Sequence, residues 1–215
     1  MLNKKEFIMN SNNQFSREIK LKDPFNSYWN EILSRQNVGE DLYKILSIDD
    51  FIKLKQVVSN VNNIITLQTT LKFVDFLFNE KIISADQRNS LKSKVLKTNA
   101  NTNGFDVDFY LENCKFDGII AEVKCNIPVA KHSFGANQED GLIKDLKNLQ
   151  TGKNKAASKN TSNYLKFMVV LESKDSVKES MRKIIKKITD GKIVEYEQKT
   201  TLSNDTVYVV YIPTK

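Results

Sequence analysis

The residues from Gly104 to Lys124 constrain the fold more than any other stretch of this 215-residue chain. Phe105, Val107, Phe109 and Leu111 alternate with Asp106, Asp108 and Tyr110, the period-two pattern of a half-buried strand. Glu112 to Lys115 can make a turn, and Gly118-Ile-Ile-Ala then runs into Glu122-Val-Lys124 as a second, more deeply buried strand. The two read as a β-hairpin. Because side chains alternate along a strand, Glu122 and Lys124 share a face, as do Asp106 and Asp108. Carboxylates converging beside a lysine at the lip of an apolar sheet suit a hard, oxygen-liganded cation such as Mg²⁺.

An acidic residue two positions before a lysine is not specific by itself. It occurs six times, at Glu18, Glu122, Asp145, Glu172, Asp190 and Glu197. Glu18 lies in a polar stretch, Asp145 on an expected helix, and Asp190 at a helix end beside Gly191. Glu172-Ser-Lys174 competes, since it closes the apolar run Tyr164 to Leu171, but no preceding strand supplies it with an aspartate. Only Glu122 has both a buried strand and an acidic strand a hairpin away. The plain alternative is a solvated hairpin edge with incidental charges.

Over residues 104 to 172 the pattern resembles the PD-(D/E)XK nuclease superfamily, the fold of many restriction endonucleases. The family's strand aspartate falls on Asp108, with Asp106 as the rival, and its (D/E)XK tripeptide on Glu122, Val123 and Lys124. The proline that often precedes the aspartate is absent, Val107 standing before Asp108 and Phe105 before Asp106. The resemblance implies that Asp108, Glu122 and the Val123 carbonyl ligate Mg²⁺, while Lys124 positions or helps deprotonate a water. Asp106 would hold a second metal or orient Lys124, and Glu40 or Glu80 would supply a helix-borne extra ligand. Gln138 and Lys144 would reach phosphate from the following helix, and the basic loop bearing Lys153, Lys155 and Lys159 would either clamp it or be an ordinary solvated loop.

A net charge of +7 suits a polyanionic partner, but a lysine-rich composition gives the same number without one. Two cysteines, Cys114 and Cys125, in no CxxC arrangement, and one histidine, His132, argue against a Cys/His zinc site and against nucleases that need two histidines. The first residues hold no apolar run long enough for a signal peptide, and no stretch approaches a membrane span, so the chain is expected to be cytoplasmic. No GxGxxG, GxxxxGK[ST] or GxSxG occurs, which leaves nucleotide folds and hydrolase elbows without support.

The first 98 residues read as mostly helical and residues 99–215 as an α/β core. Asp23-Pro24 is a good helix start, for a helix carrying Tyr28, Trp29, Ile32 and Leu33. Ser47 to Asp50 approximates a capping box for a helix over 49–60, and a long amphipathic helix is expected over 64–82. Ser84-Ala-Asp-Gln87 opens a basic helix to about Lys97. The last two can be a layer flanking the sheet or a helix-turn-helix DNA reader. Helices are further expected over 136–149 and 175–189, and strands over 164–172, 193–197 and 207–212. That order is compatible with an α/β fold with a mixed sheet of four or five strands, which the resemblance implies is restriction-endonuclease-like. Three functions fit: an Mg²⁺-dependent restriction-type endonuclease on double-stranded DNA, usually a homodimer; another nuclease of the fold in repair, recombination or phage defence; and a non-catalytic DNA-binding protein.

Overall fold

The computed structural model describes residues 41–97, 104–129, 133–154, 156–158, 160–188, 192–198 and 200–214. The expected helix from Asp23, together with Glu40, Lys155 and Lys159, lies outside the described residues. The chain divides into two compact units, Met1–Ser59 and Asn60–Lys215. In the first, helix α1 (Leu42–Ile45) is followed by the start of α2 (Ile48–Asn79). The capping box forms there: the Ser47 N–H donates to Asp50 Oδ2 at 3.0 Å and the Asp50 N–H to Ser47 Oγ at 3.2 Å. Tyr43 packs edge-on against Phe51.

The second unit is an α/β layer structure around a five-stranded mixed sheet of order β1-β2-β3-β5-β4. Its strands are β1 (Val107–Tyr110), β2 (Gly118–Lys124), β3 (Tyr164–Glu172), β4 (Ile193–Glu195) and β5 (Val207–Pro213). Strand β1 pairs antiparallel with β2, and every other neighbouring pair is parallel. In β2 and β3 nearly every residue is buried, as expected for parallel strands covered on both faces. On one face Ile119, Ala121, Val123, Phe167, Val169 and Tyr208 meet Phe73, Val74 and Leu77 of α2 and Leu91 of α3 (Ala85–Lys97). On the other, Ile120, Met168, Val170 and Val209 meet Leu142, Leu146 and Leu149 of α4 (Ala136–Thr151) and Val177, Met181 and Ile184 of α5 (Asp175–Lys187).

Local chemistry explains the ends of these elements. The second capping box forms as its sequence predicts, Ser84 N–H donating to Gln87 Oε1 at 2.8 Å and Gln87 N–H to Ser84 Oγ at 3.2 Å. Two of the basic side chains of α3 and its start turn inward: Arg88 Nε and Lys92 Nζ donate to Asp75 of α2 at 2.6 and 2.8 Å. The burial of Leu91 and this clasp make α2 and α3 a layer on the sheet. The hairpin turn is longer than Glu112 to Lys115, closing where Leu111 N–H donates to the Asp117 carbonyl at 2.8 Å, with Asn113 left-handed at φ 55°. Gly118 then lets β2 pass close beneath the Tyr164 ring and the Phe109 carbonyl.

Candidate active site

The pairing of β1 with β2 decides which aspartate meets Glu122. Val107 lies opposite Ala121 and Asp108 opposite Ile120, so Asp108 sits one step along the hairpin from the tripeptide. Its carboxylate is occupied there, accepting the Ser158 N–H at 3.0 Å and the Ser158 hydroxyl at 2.6 Å. Asp106, just before β1, reaches the end of β2 instead, and its Oδ2 accepts the Val123 N–H at 2.7 Å. In an extended strand the N–H and C=O of one residue project to the same edge. The Val123 carbonyl therefore faces the side on which Asp106 stands, beyond the last β1–β2 pair.

Glu122 is 4 % exposed. Its Oε1 accepts from Lys153 Nζ and its Oε2 lies 3.5 Å from Lys124 Nζ. Burial pushes its carboxyl up to about 7; the Asp106 carboxylate adds to this, against the pull of Lys153 and Lys124. Lys124 is clasped more tightly by Asp145 of α4, Nζ to Oδ2 2.5 Å. Burial works against the charge on Lys124, but Asp145, Glu122 and Asp106 together carry its pKa above the usual lysine value. Lys153 also donates to the Gly104 carbonyl at 2.8 Å.

These groups line one cleft of about 650 Å³, with Thr66 and Thr70 of α2 and Leu96 of α3 on its far wall. The structure thus brings together Asp106, Glu122, Val123, Lys124 and Lys153 from the sequence-predicted set and leaves Asp108 beside the group. Gln138 shares with Lys124 and Asp145 a smaller recess of about 260 Å³, and its side chain also accepts the Gly135 N–H at 3.3 Å. Lys144 is exposed on α4. Glu80 accepts a bond from Tyr196 Oη at 2.8 Å and lies outside the cleft. Glu172 of the competing tripeptide is tied to Lys178 of α5 at 2.8 Å.

Asp145 is the residue that sequence reasoning passed over. Its signal was there: it stands three residues after Leu142 and four before Leu149, both buried, which makes it an acid on the apolar stripe of α4. Two carboxylates and a main-chain carbonyl form an all-oxygen donor set, the kind that Mg²⁺ takes. The Asp106 carboxylate faces Glu122 and disfavours its ionised form, a repulsion that a cation between them would relieve. Among the described residues no group of three or more His, Cys, Asp or Glu side chains is gathered to hold a metal ion. No helix among them is long and apolar enough to cross a membrane. Compared with protein-family models, with curated proteins and with solved structures, the chain matches none, so the functional argument rests on the chemistry of this cleft.

Proposed function

We propose that the protein is an Mg²⁺-dependent deoxyribonuclease of the PD-(D/E)XK kind, hydrolysing phosphodiester bonds of double-stranded DNA at specific sites as restriction enzymes do. One observation carries the reading: Asp106, Glu122 and Lys124 converge where an antiparallel hairpin joins an otherwise parallel sheet. Asp106, Glu122 and the Val123 carbonyl would hold the cation, with Asp106 in the role that the sequence assigned first to Asp108. Bound there, Mg²⁺ supplies a more acidic water and neutralises charge on the phosphate. Lys124 keeps its proton at physiological pH and presents positive charge to the reacting phosphate, its ammonium held in place by Asp145. Glu122 is buried in this cleft, while the Lys124 and Lys153 side chains remain about one-fifth exposed. A protein that only bound phosphate would gain nothing from a buried glutamate facing an aspartate, since both repel the DNA backbone.

Purified protein incubated with plasmid and phage DNA, with Mg²⁺ or with EDTA and beside Lys124→Ala and Asp106→Asn, tests the reading. Discrete fragments that need Mg²⁺ and vanish in both variants are the expected result. A smear or nicking with the same dependence would indicate a repair or defence nuclease on the same site. Intact DNA retarded on a gel would replace the enzyme with a DNA-binding protein. The resemblance also implies a homodimer, which sedimentation of the purified chain would test.

A further inference from the structure

The cleft holds two lysines, and the tripeptide accounts for one. Lys153 follows Gly152, whose φ of +90° ends α4 and turns the chain back over the start of β1. Its ammonium donates to Glu122 Oε1 and, at 2.8 Å, to the Gly104 carbonyl, and lies 5.0 Å from the centre of the Phe105 ring. A carboxylate oxygen, a carbonyl oxygen and an aromatic face surround it much as they would surround a bound cation. Lys124 is placed differently, since its nearest acid is Asp145 and it approaches the other oxygen of Glu122 at 3.5 Å. Each oxygen of Glu122 therefore faces its own lysine. A divalent cation and the Lys153 ammonium cannot both sit on the buried Oε1 without strong like-charge repulsion.

We propose that Lys153 is an internal counter-cation of the site: it competes with the divalent cation for Glu122, and the cation's arrival releases it toward the substrate phosphate. This rests on the metal-dependent reading of the cleft. The local architecture suits such an exchange. Lys153 sits two residues beyond the end of a regular helix on a flexible four-carbon stem. Ser158 pins the far end of the loop to Asp108 through two hydrogen bonds, so the loop stays anchored when Lys153 lets go. Lys153 thus holds Glu122 Oε1 in place of the metal, and its charge reaches the substrate only after metal has entered.

Metal binding by the full chain without DNA tests the proposal, with free Mn²⁺ read by electron paramagnetic resonance and Mg²⁺ as competitor. Lys153→Met should bind Mn²⁺ about tenfold more tightly than the unaltered chain, the factor expected if Lys153 holds Glu122 about nine-tenths of the time. Glu122→Gln should lose the binding. A second measurement does not depend on how the variant folds. Acetylation of Lys153 by an amine-reactive ester, mapped by mass spectrometry, should speed several-fold when Mg²⁺ saturates the unaltered chain, while acetylation of Lys178 stays constant. Binding that needs Glu122 but is unchanged or weaker in Lys153→Met, with a metal-independent acetylation rate, would overturn the competition and leave the metal site standing. No Mn²⁺ binding by either the unaltered chain or Lys153→Met would overturn the metal reading itself.

Discussion

Replacing Glu122 by glutamine should change the stability of the metal-free protein in a way that depends on pH. The folded structure moves this carboxyl from 4.5 to about 7, chiefly because burial disfavours the ionised form and Asp106 faces it. Between those values the unfolded chain has given up the proton and the folded chain retains it. The proton-linked stability is therefore complete below pH 4.5 and lost as the pH rises through 7. The displacement corresponds to about 3 kcal/mol. Glutamine is nearly isosteric, keeps an oxygen for Lys153 and carries no charge to desolvate. The stability of Glu122→Gln minus that of the unaltered chain should climb by about 3 kcal/mol from pH 4.5 to pH 8, roughly 6 to 12 °C in melting temperature for a chain of this size. Urea denaturation followed by circular dichroism in EDTA across that range would measure it, and titrating groups that do not interact with Glu122 cancel in the difference. A flat difference, or one that falls with pH, would refute the reasoning: it would mean that Lys153 and Lys124 hold Glu122 ionised against its burial.

Other substitutions probe the rest of the site. Asp108→Ala should cost about 1–3 kcal/mol by orphaning the Ser158 N–H and hydroxyl, yet leave Mg²⁺-dependent cleavage in place; Asp106→Asn, which keeps an oxygen for the Val123 N–H, should abolish cleavage with little loss of stability. The opposite pattern in paired denaturation and cleavage assays would return the metal to Asp108. Asp145→Asn should lower kcat about tenfold with KM nearly unchanged, because it loosens Lys124 without touching substrate; steady-state kinetics showing full kcat would remove Asp145 from the mechanism. At Gly118, an alanine Cβ would stand 2.4 Å from the Tyr164 ring and 2.5 Å from the Phe109 carbonyl oxygen. Gly118→Ala should therefore lower the stability measured in urea by about 3 kcal/mol, and a neutral result would show that the hairpin can slide.

Much of this arrangement can be read from the residues. The alternation over 105–111 and the apolar runs at 118–123 and 164–171 become strands where they are expected, because burial of those side chains dominates any local preference. Ser84 and Gln87 mark the start of α3 by a bond that is local in sequence. Two helices are expected, over 49–60 and 64–82 with Val61, Asn62 and Asn63 between them, whereas the chain runs as one helix from Ile48 to Asn79. Asparagine is a mediocre helix former but, unlike proline, does not remove the hydrogen bond that continues a helix. The choice between Asp106 and Asp108 was not legible, because both share a face and only the register with β2 separates them. Asp145 and Lys153 reach the cleft through the packing of α4 and the turn at Gly152, contacts that sequence spacing does not encode.

Strand β1 is four residues long, lies at the edge of the sheet and, among the described strands, pairs with β2 alone, with Ser158 and Lys94 holding Asp108. Edge segments with few partners open at lower free energy than the strands between them, and they do so while the rest of the molecule stays native. Asp106 and the Gly104 carbonyl are carried on the chain leading into that strand. Fraying of the hairpin would therefore dismantle the cleft without melting the sheet. Amide exchange in β1 should report this sub-global opening, faster than in β2 or β3. Warming should erode competence at temperatures where the circular dichroism of the fold has not yet begun to change, and a ligand that grips Asp106 and Glu122 together would close that gap.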